Sequence, residues 1–170
     1  HIADFAVQLP APAALDDESA RRAFLELVEK LLRGEAENDG FNRLALLAGL
    51  DGRRVAILRA YGRYLRQAGL PFSQVYIERC LASHPQIARL LSDLFDARFD
   101  PNGSDERAAE IDNELTAALS RVSNLDDDRI LSGYRTAFHA TMRTNACQTD
   151  AKGKPKDYLS FKFDSSRVPG

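Results

Sequence analysis

The chain has 170 residues, 23 basic and 25 acidic side chains, a net charge of −2 and 44% apolar residues. That length suits one domain with a real core rather than two, and the composition is that of a globular protein, not of a disordered tail. Near-neutral charge argues against nucleic acid or an anionic membrane as a general partner, and apolar runs of only a few residues leave no bilayer-spanning helix.

No charged-then-apolar segment opens the chain, so secretion is not indicated and a cytoplasmic setting is expected. Cys80 and Cys147 stand far apart, without CxxC or Cys/His spacing, which points to free thiols and away from zinc. The first residue is His1 rather than Met, and Ser165 to Gly170 is polar with Pro and Gly, so both ends are expected to be cuts. Residues 1–15 then read as the tail of a preceding module or a linker.

Asp16 and Asp17 offer an N-cap for a first helix through Phe24, Leu25, Val28, Leu31 and Leu32, stopping near Gly34. A short second helix is expected from about Glu37 to Leu47, with Phe41, Leu44 and Leu47 on one side. Asp51 can cap a third helix, which should run to about Ala68 and stop at Gly69 before Pro71. Its apolar face is Ile57, Leu58, Tyr61, Tyr64, Leu65 and Ala68; Arg59, Arg63 and Arg66 share the opposite, solvated face. Ser73 caps a fourth helix through Val75, Ile77 and Leu81, and Pro85 fits the first turn of a fifth carrying Ile87, Leu90, Leu91, Leu94 and Phe95.

Asp100-Pro-Asn-Gly103 is the clearest loop. Beyond it, Ile111, Leu115, Leu119 and Val122 mark a sixth helix, and Ile130, Tyr134, Phe138 and Met142 form an i, i+4 row on a seventh. Thr149 to Asp157 should be a mobile loop, and the period-two alternation from Tyr158 to Phe163 predicts a strand. A lone strand needs a partner: either Ile2 to Val7 or, preferred, sequence beyond the cut. The expected fold is therefore mainly α, an irregular bundle of about six to seven helices over residues 16–146. Residues 147–170 would be a loop and strand leading toward a missing domain.

Candidate chemistry is sparse. Asp126, Asp127 and Asp128 precede a helix, where the dipole and capping favour negative charge, and lack the further ligands a metal would need. His1, His84 and His139 are dispersed, without the nucleophile or carboxylate spacing of a catalytic group. Lys152, Lys154 and Lys156 surround Gly153 and Pro155, but a strand rather than a helix N-terminus follows, so a phosphate loop is not expected. The candidate interaction face is Arg59, Arg63 and Arg66, with Arg53 and Arg54 just upstream. No catalytic, cofactor-binding or metal residue is assigned.

Specific strings go further. Ala36-Glu-Asn-Asp-Gly-Phe-Asn-Arg-Leu44, Arg59-Ala-Tyr-Gly-Arg-Tyr-Leu-Arg-Gln-Ala-Gly69 and Phe72-Ser-Gln resemble blocks of the large bacterial NAD-specific glutamate dehydrogenases. Leu94-Phe-Asp-Ala-Arg-Phe-Asp-Pro101, Asp128-Arg-Ile-Leu131, Arg143-Thr-Asn145 and Lys154-Pro-Lys-Asp-Tyr-Leu-Ser-Phe-Lys162 follow in the same order. The resemblance implies a helical segment just upstream of the catalytic domain of a homo-oligomeric parent, which converts L-glutamate to 2-oxoglutarate and ammonia with NAD as hydride acceptor. It implies a structural or allosteric connector whose partners are the regulatory and catalytic domains of the same chain. NAD would belong to the parent, because neither a glycine-flanked lysine motif nor a dinucleotide fingerprint occurs here. The alternative is an independent helical interaction module that uses the arginine face.

Overall fold

A computed structural model describes residues 18–167. The caps expected at Asp16 and Asp17, the tail at 1–15 and the pairing segment Ile2 to Val7 lie outside the described residues. Seven α-helices and one two-stranded sheet follow: α1 (Glu18–Leu32), α2 (Leu44–Leu47), α3 (Gly52–Gln67), α4 (Gln74–Ser83), α5 (Pro85–Phe99), α6 (Asp105–Leu119), α7 (Leu125–Ala140), β1 (Thr141–Thr144) and β2 (Phe161–Phe163). The mainly helical fold read from the sequence is the one observed.

Local chemistry explains most boundaries. Asp51 accepts a hydrogen bond from the Arg54 amide at 2.9 Å, Ser73 from Tyr76 at 3.2 Å and Ser104 from Arg107 at 3.1 Å, each satisfying an amide that the first turn leaves open. α3 ends in a Schellman arrangement: Leu70 N–H donates to Leu65 O and Gly69 N–H to Arg66 O, with Gly69 at φ +100. Pro85 opens α5. Asn124 caps α7 through the amides of Asp126 and Asp127, which leaves the three aspartates in the first turn of the helix.

Four expectations shift. The short helix begins later than Glu37: Asp39 caps a 3-10 turn over Gly40–Arg43, and α2 follows directly. In α1, Leu27 is the buried residue, while Leu25 and Leu32 are 60% and 84% exposed. At about 100° per residue, Phe24, Leu27, Val28 and Leu31 share one arc, and Leu25 and Leu32 fall outside it. Met142 leaves the helical row, because α7 stops at Ala140 and Thr141 turns extended at φ −72, ψ 121. Finally, the strand near Tyr158 finds its partner within the chain: β2 pairs antiparallel with β1, the stretch read as the end of a helix.

The core surrounds Tyr61 on α3. Its ring meets Phe95 of α5 at 5.9 Å, Phe138 of α7 at 4.4 Å, and Phe161 and Phe163 of β2 at 4.7 and 5.8 Å, mostly edge to face. Its hydroxyl lies 2.6 Å from Thr141 Oγ1. Because Thr141 gives its own proton to Ala137 O, Tyr61 is the donor. Burial holds the Tyr61 hydroxyl protonated far above the usual tyrosine range. One turn on, Tyr64 stacks on Phe163 at 3.8 Å. These contacts bring the strand pair onto the helices.

Gly62 marks the tightest approach in this core. A Cβ there would lie 2.6 Å from the Tyr134 hydroxyl and 3.1 Å from the Phe41 ring. Tyr134 is fully buried, and its hydroxyl donates to Leu58 O at 2.9 Å, so it has nowhere to retreat. Gly62→Ala sets a gain of about 1 kcal/mol in helix propensity against overpacking of about 1–3 kcal/mol. We expect a net loss of stability in urea unfolding; a variant more stable than the parent sequence would contradict this packing.

Candidate functional site

The side of α3 turned away from Tyr61 forms the floor of a groove of about 860 Å³. Its walls are the end of α1, the segment at 35–37 and the turn at 154–157. Six cationic side chains line it (Lys30, Arg53, Arg59, Arg63, Lys154 and Lys156) against three carboxylates (Glu35, Glu37 and Asp157). The fold therefore joins two features that the sequence kept apart, the arginine face of α3 and the lysine-rich turn.

The arginines differ in what they do. Arg59 is only 5% exposed, a departure from the solvated face expected for it. It lies opposite the apolar face, as the periodicity requires, but the segment 37–42 folds over it. Nε donates to Asp39 at 2.6 Å, and Nη2 donates to the other Asp39 oxygen at 2.9 Å and to Asn42 at 2.8 Å. This planar fork on a carboxylate is geometry that lysine cannot reproduce. Arg63 is half exposed and forms a two-pronged pair with Glu37. Glu37 raises the Arg63 pKa, yet solvent screens the pair. Arg66 is exposed and lies outside the groove.

Arg53 and Arg54 point in different directions, as adjacent helical residues must. Arg54 reaches α5, pairing with Asp93 at 3.1 Å and Asp96 at 2.6 Å. Arg53 instead ties down the turn, donating to Lys156 O and Ala146 O at 3.0 Å each, while its buried Nε has no partner. The stretch expected to be mobile is a hydrogen-bonded turn: the Asp150 carboxylate accepts from the amides of Lys152 and Lys154, and Gly153 takes φ +76. Asp39 and Asp150 were not singled out in the sequence, and Arg53 was noted only as a neighbour of the arginine face. The one local signal was Asp39-Gly40 ahead of Phe41, a cap-like string.

The remaining candidates are structural in their contacts. His84 lies 3.1 Å from Asp127, joining the α4–α5 corner to α7. His139 and Arg135 both bind Asp112, whose carboxyl Arg135 holds below the usual range, joining α6 to α7. Cys80 neighbours Asp127, but burial pushes its thiol well above the ordinary value, against the thiolate a nucleophile requires. Among the described residues no group of three His, Cys, Asp or Glu side chains could hold a metal ion. The described sheet is a single antiparallel pair without a βαβ unit. No described helix is long and apolar enough to cross a membrane.

Fold and site together define a helical packing segment with a charged groove. A family model described as glutamate dehydrogenase, helical motif 3, matches residues 36–101. A second, the catalytic domain of bacterial NAD-glutamate dehydrogenase, matches residues 114–170. The chain is 42% identical over 171 residues to the NAD-specific glutamate dehydrogenase of Halomonas elongata, covering 99% of this chain and 11% of that protein. The enzymes of the same name from Pseudomonas aeruginosa and Mycobacterium tuberculosis are 38% and 37% identical, over 99% and 93% of this chain and 11% and 10% of theirs. No solved structure matches. The chain belongs to the large bacterial NAD-specific glutamate dehydrogenase family, and it spans about a tenth of the length of these relatives.

The two arginine pairs separate in a simple experiment. Arg59→Lys breaks a buried bidentate contact and should cost about 2–3 kcal/mol. Arg63→Ala removes an exposed pair and should change stability by less than about 0.5 kcal/mol. Equal losses in thermal unfolding would contradict the assignment of Arg59 as the clasp of segment 37–42.

Proposed function

We propose that this segment is a non-catalytic structural connector in a glutamate dehydrogenase whose complete chain oxidises L-glutamate with NAD. Its partners in this reading are the regulatory and catalytic domains of the same chain, within a homo-oligomer. The supporting observation is the continuity of the core. Residues matched by the helical-motif model, among them Tyr61 and Phe95, pack directly on Phe138, Phe161 and Phe163, which the catalytic-domain model matches. A displacement on one side of the family boundary is then felt on the other, because packed interiors transmit strain. Any allosteric use of the connection would act through this contact.

The purified chain, supplied with glutamate and NAD, should form no NADH, whereas the full-length parent should. In that parent, Tyr61→Phe removes the α3–β1 hydroxyl link, a loss of about 1 kcal/mol, and should shorten the half-life of activity on heating. Turnover by the chain alone would overturn the non-catalytic reading, and an unchanged half-life would overturn the connector. Exposed Arg63 and Arg66 favour a second reading, an independent interaction module. It would show a partner whose affinity falls with added salt and is lost when both arginines are replaced by alanine.

A further inference from the structure

A second cleft, about 660 Å³, shares no lining residue with the charged groove and has a different electrostatic character. Arg98, Arg143 and Lys162 line it, together with the polar Thr144, Asn145 and Ser160, and among the described residues no carboxylate does. Arg143 and Lys162 are direct cross-strand partners. Directly opposed side chains share a face with Cα atoms about 4.5–5.5 Å apart, and like charges in that position destabilise a sheet. A register irregularity between Thr141 and Arg143 brings them opposite one another, the insertion of one extra residue into β1. Its effect is visible in exposure: Met142 and Arg143 are consecutive in the strand, yet both face solvent. Bulges of this kind re-aim a side chain at the cost of a ladder position.

Arg98 supplies the third charge. It is partly buried at the end of α5, donates to Phe138 O, lies 5.1 Å over the Phe99 ring and forms no ion pair among the described residues. Burial lowers its pKa; Asp112 and Asp105, the carboxylates that act on it, lie outside the cleft. Arg143 and Lys162 line the same cleft and form no ion pair among the described residues, so an anion placed there would meet three cations and no competing carboxylate.

We propose that Arg98, Arg143 and Lys162 form a binding site for a phosphate group. A phosphate carries close to two negative charges and enough acceptor oxygens to face all three cations, whereas a single carboxylate would leave charge uncompensated. The site does not rest on the proposed connector role: Arg143 and Lys162, the two cations replaced in the test below, make no ring contact with Tyr61. Free phosphate and the phosphate of a nucleotide share this chemistry.

The test is a titration of the 170-residue chain with inorganic phosphate and, separately, with ADP, followed by amide and side-chain NMR shifts. Saturable shifts at Arg98, Arg143, Lys162 and Ser160 are expected, with affinity weakened at least about 10-fold in an Arg143→Ala/Lys162→Ala variant and unchanged in Arg66→Ala. Tighter binding of ADP would identify a nucleotide source, and equal or weaker binding would identify free phosphate. Thermal unfolding gives a second readout: without phosphate the double variant should melt above the parent sequence, and added phosphate should raise only the parent's Tm. Non-saturating shifts spread over all basic residues, or equal affinity in the double variant, would overturn the site.

Discussion

The structure depends on one aromatic contact set, the Tyr61 ring held between α5, α7 and β2 with its hydroxyl on Thr141. A two-stranded sheet has little stability by itself. Here β2 survives because Phe161 and Phe163 exchange water for the rings of Tyr61 and Tyr64, and β1 because Thr141 is bonded at both ends of its hydroxyl. The absence of a side chain at Gly62 lets Tyr134 and Phe41 close the other flank of α3. Remove this packing and the helices and the strand pair are held together only by the chain at Ala140–Thr141 and a few hydrogen bonds, among them those of Arg53 and of Asp164 N–H to Ala140 O.

The same helix explains the charged groove. With its apolar side fixed by Tyr61, α3 must present Arg53, Arg59 and Arg63 toward the opposite side, and each then meets a different part of the chain. Arg59 clasps segment 37–42, Arg53 straps the turn at 146–156, and Arg63 remains at the rim with Glu37. Two of the three arginines therefore build the walls of the groove rather than waiting in it. An arginine row on a helix reads as one solvated face only until the neighbouring loops are placed.

Much of the fold was legible because its signals are local. Caps at Asp51 and Ser73, the Gly69 stop and Pro85 at a helix start each act within a few residues, and each was found. What escaped was decided by distant partners. Met142 continues a perfect i, i+4 row, yet Phe161 and Phe163 offer the chain at Thr141 a ladder that the helix cannot match. Leu25 and Leu32 are as apolar as Leu27, and only the docking direction of α1 separates them. The burial of Arg59 depends on Asp39, twenty residues earlier, and the opposition of Arg143 and Lys162 depends on a bulge that no composition announces. The candidate groove was half legible: its two basic elements were seen, but their meeting was not.

The central claim is that the helices and the strand pair form one cooperative unit across the boundary between the two family matches. Native-state hydrogen exchange measures this directly, because it resolves the opening free energy of each amide. Amides of β1 and β2 should exchange with the same free energy and denaturant dependence as the innermost amides of α3, through global unfolding. Strand amides that open at far lower free energy while α3 stays protected would contradict the account.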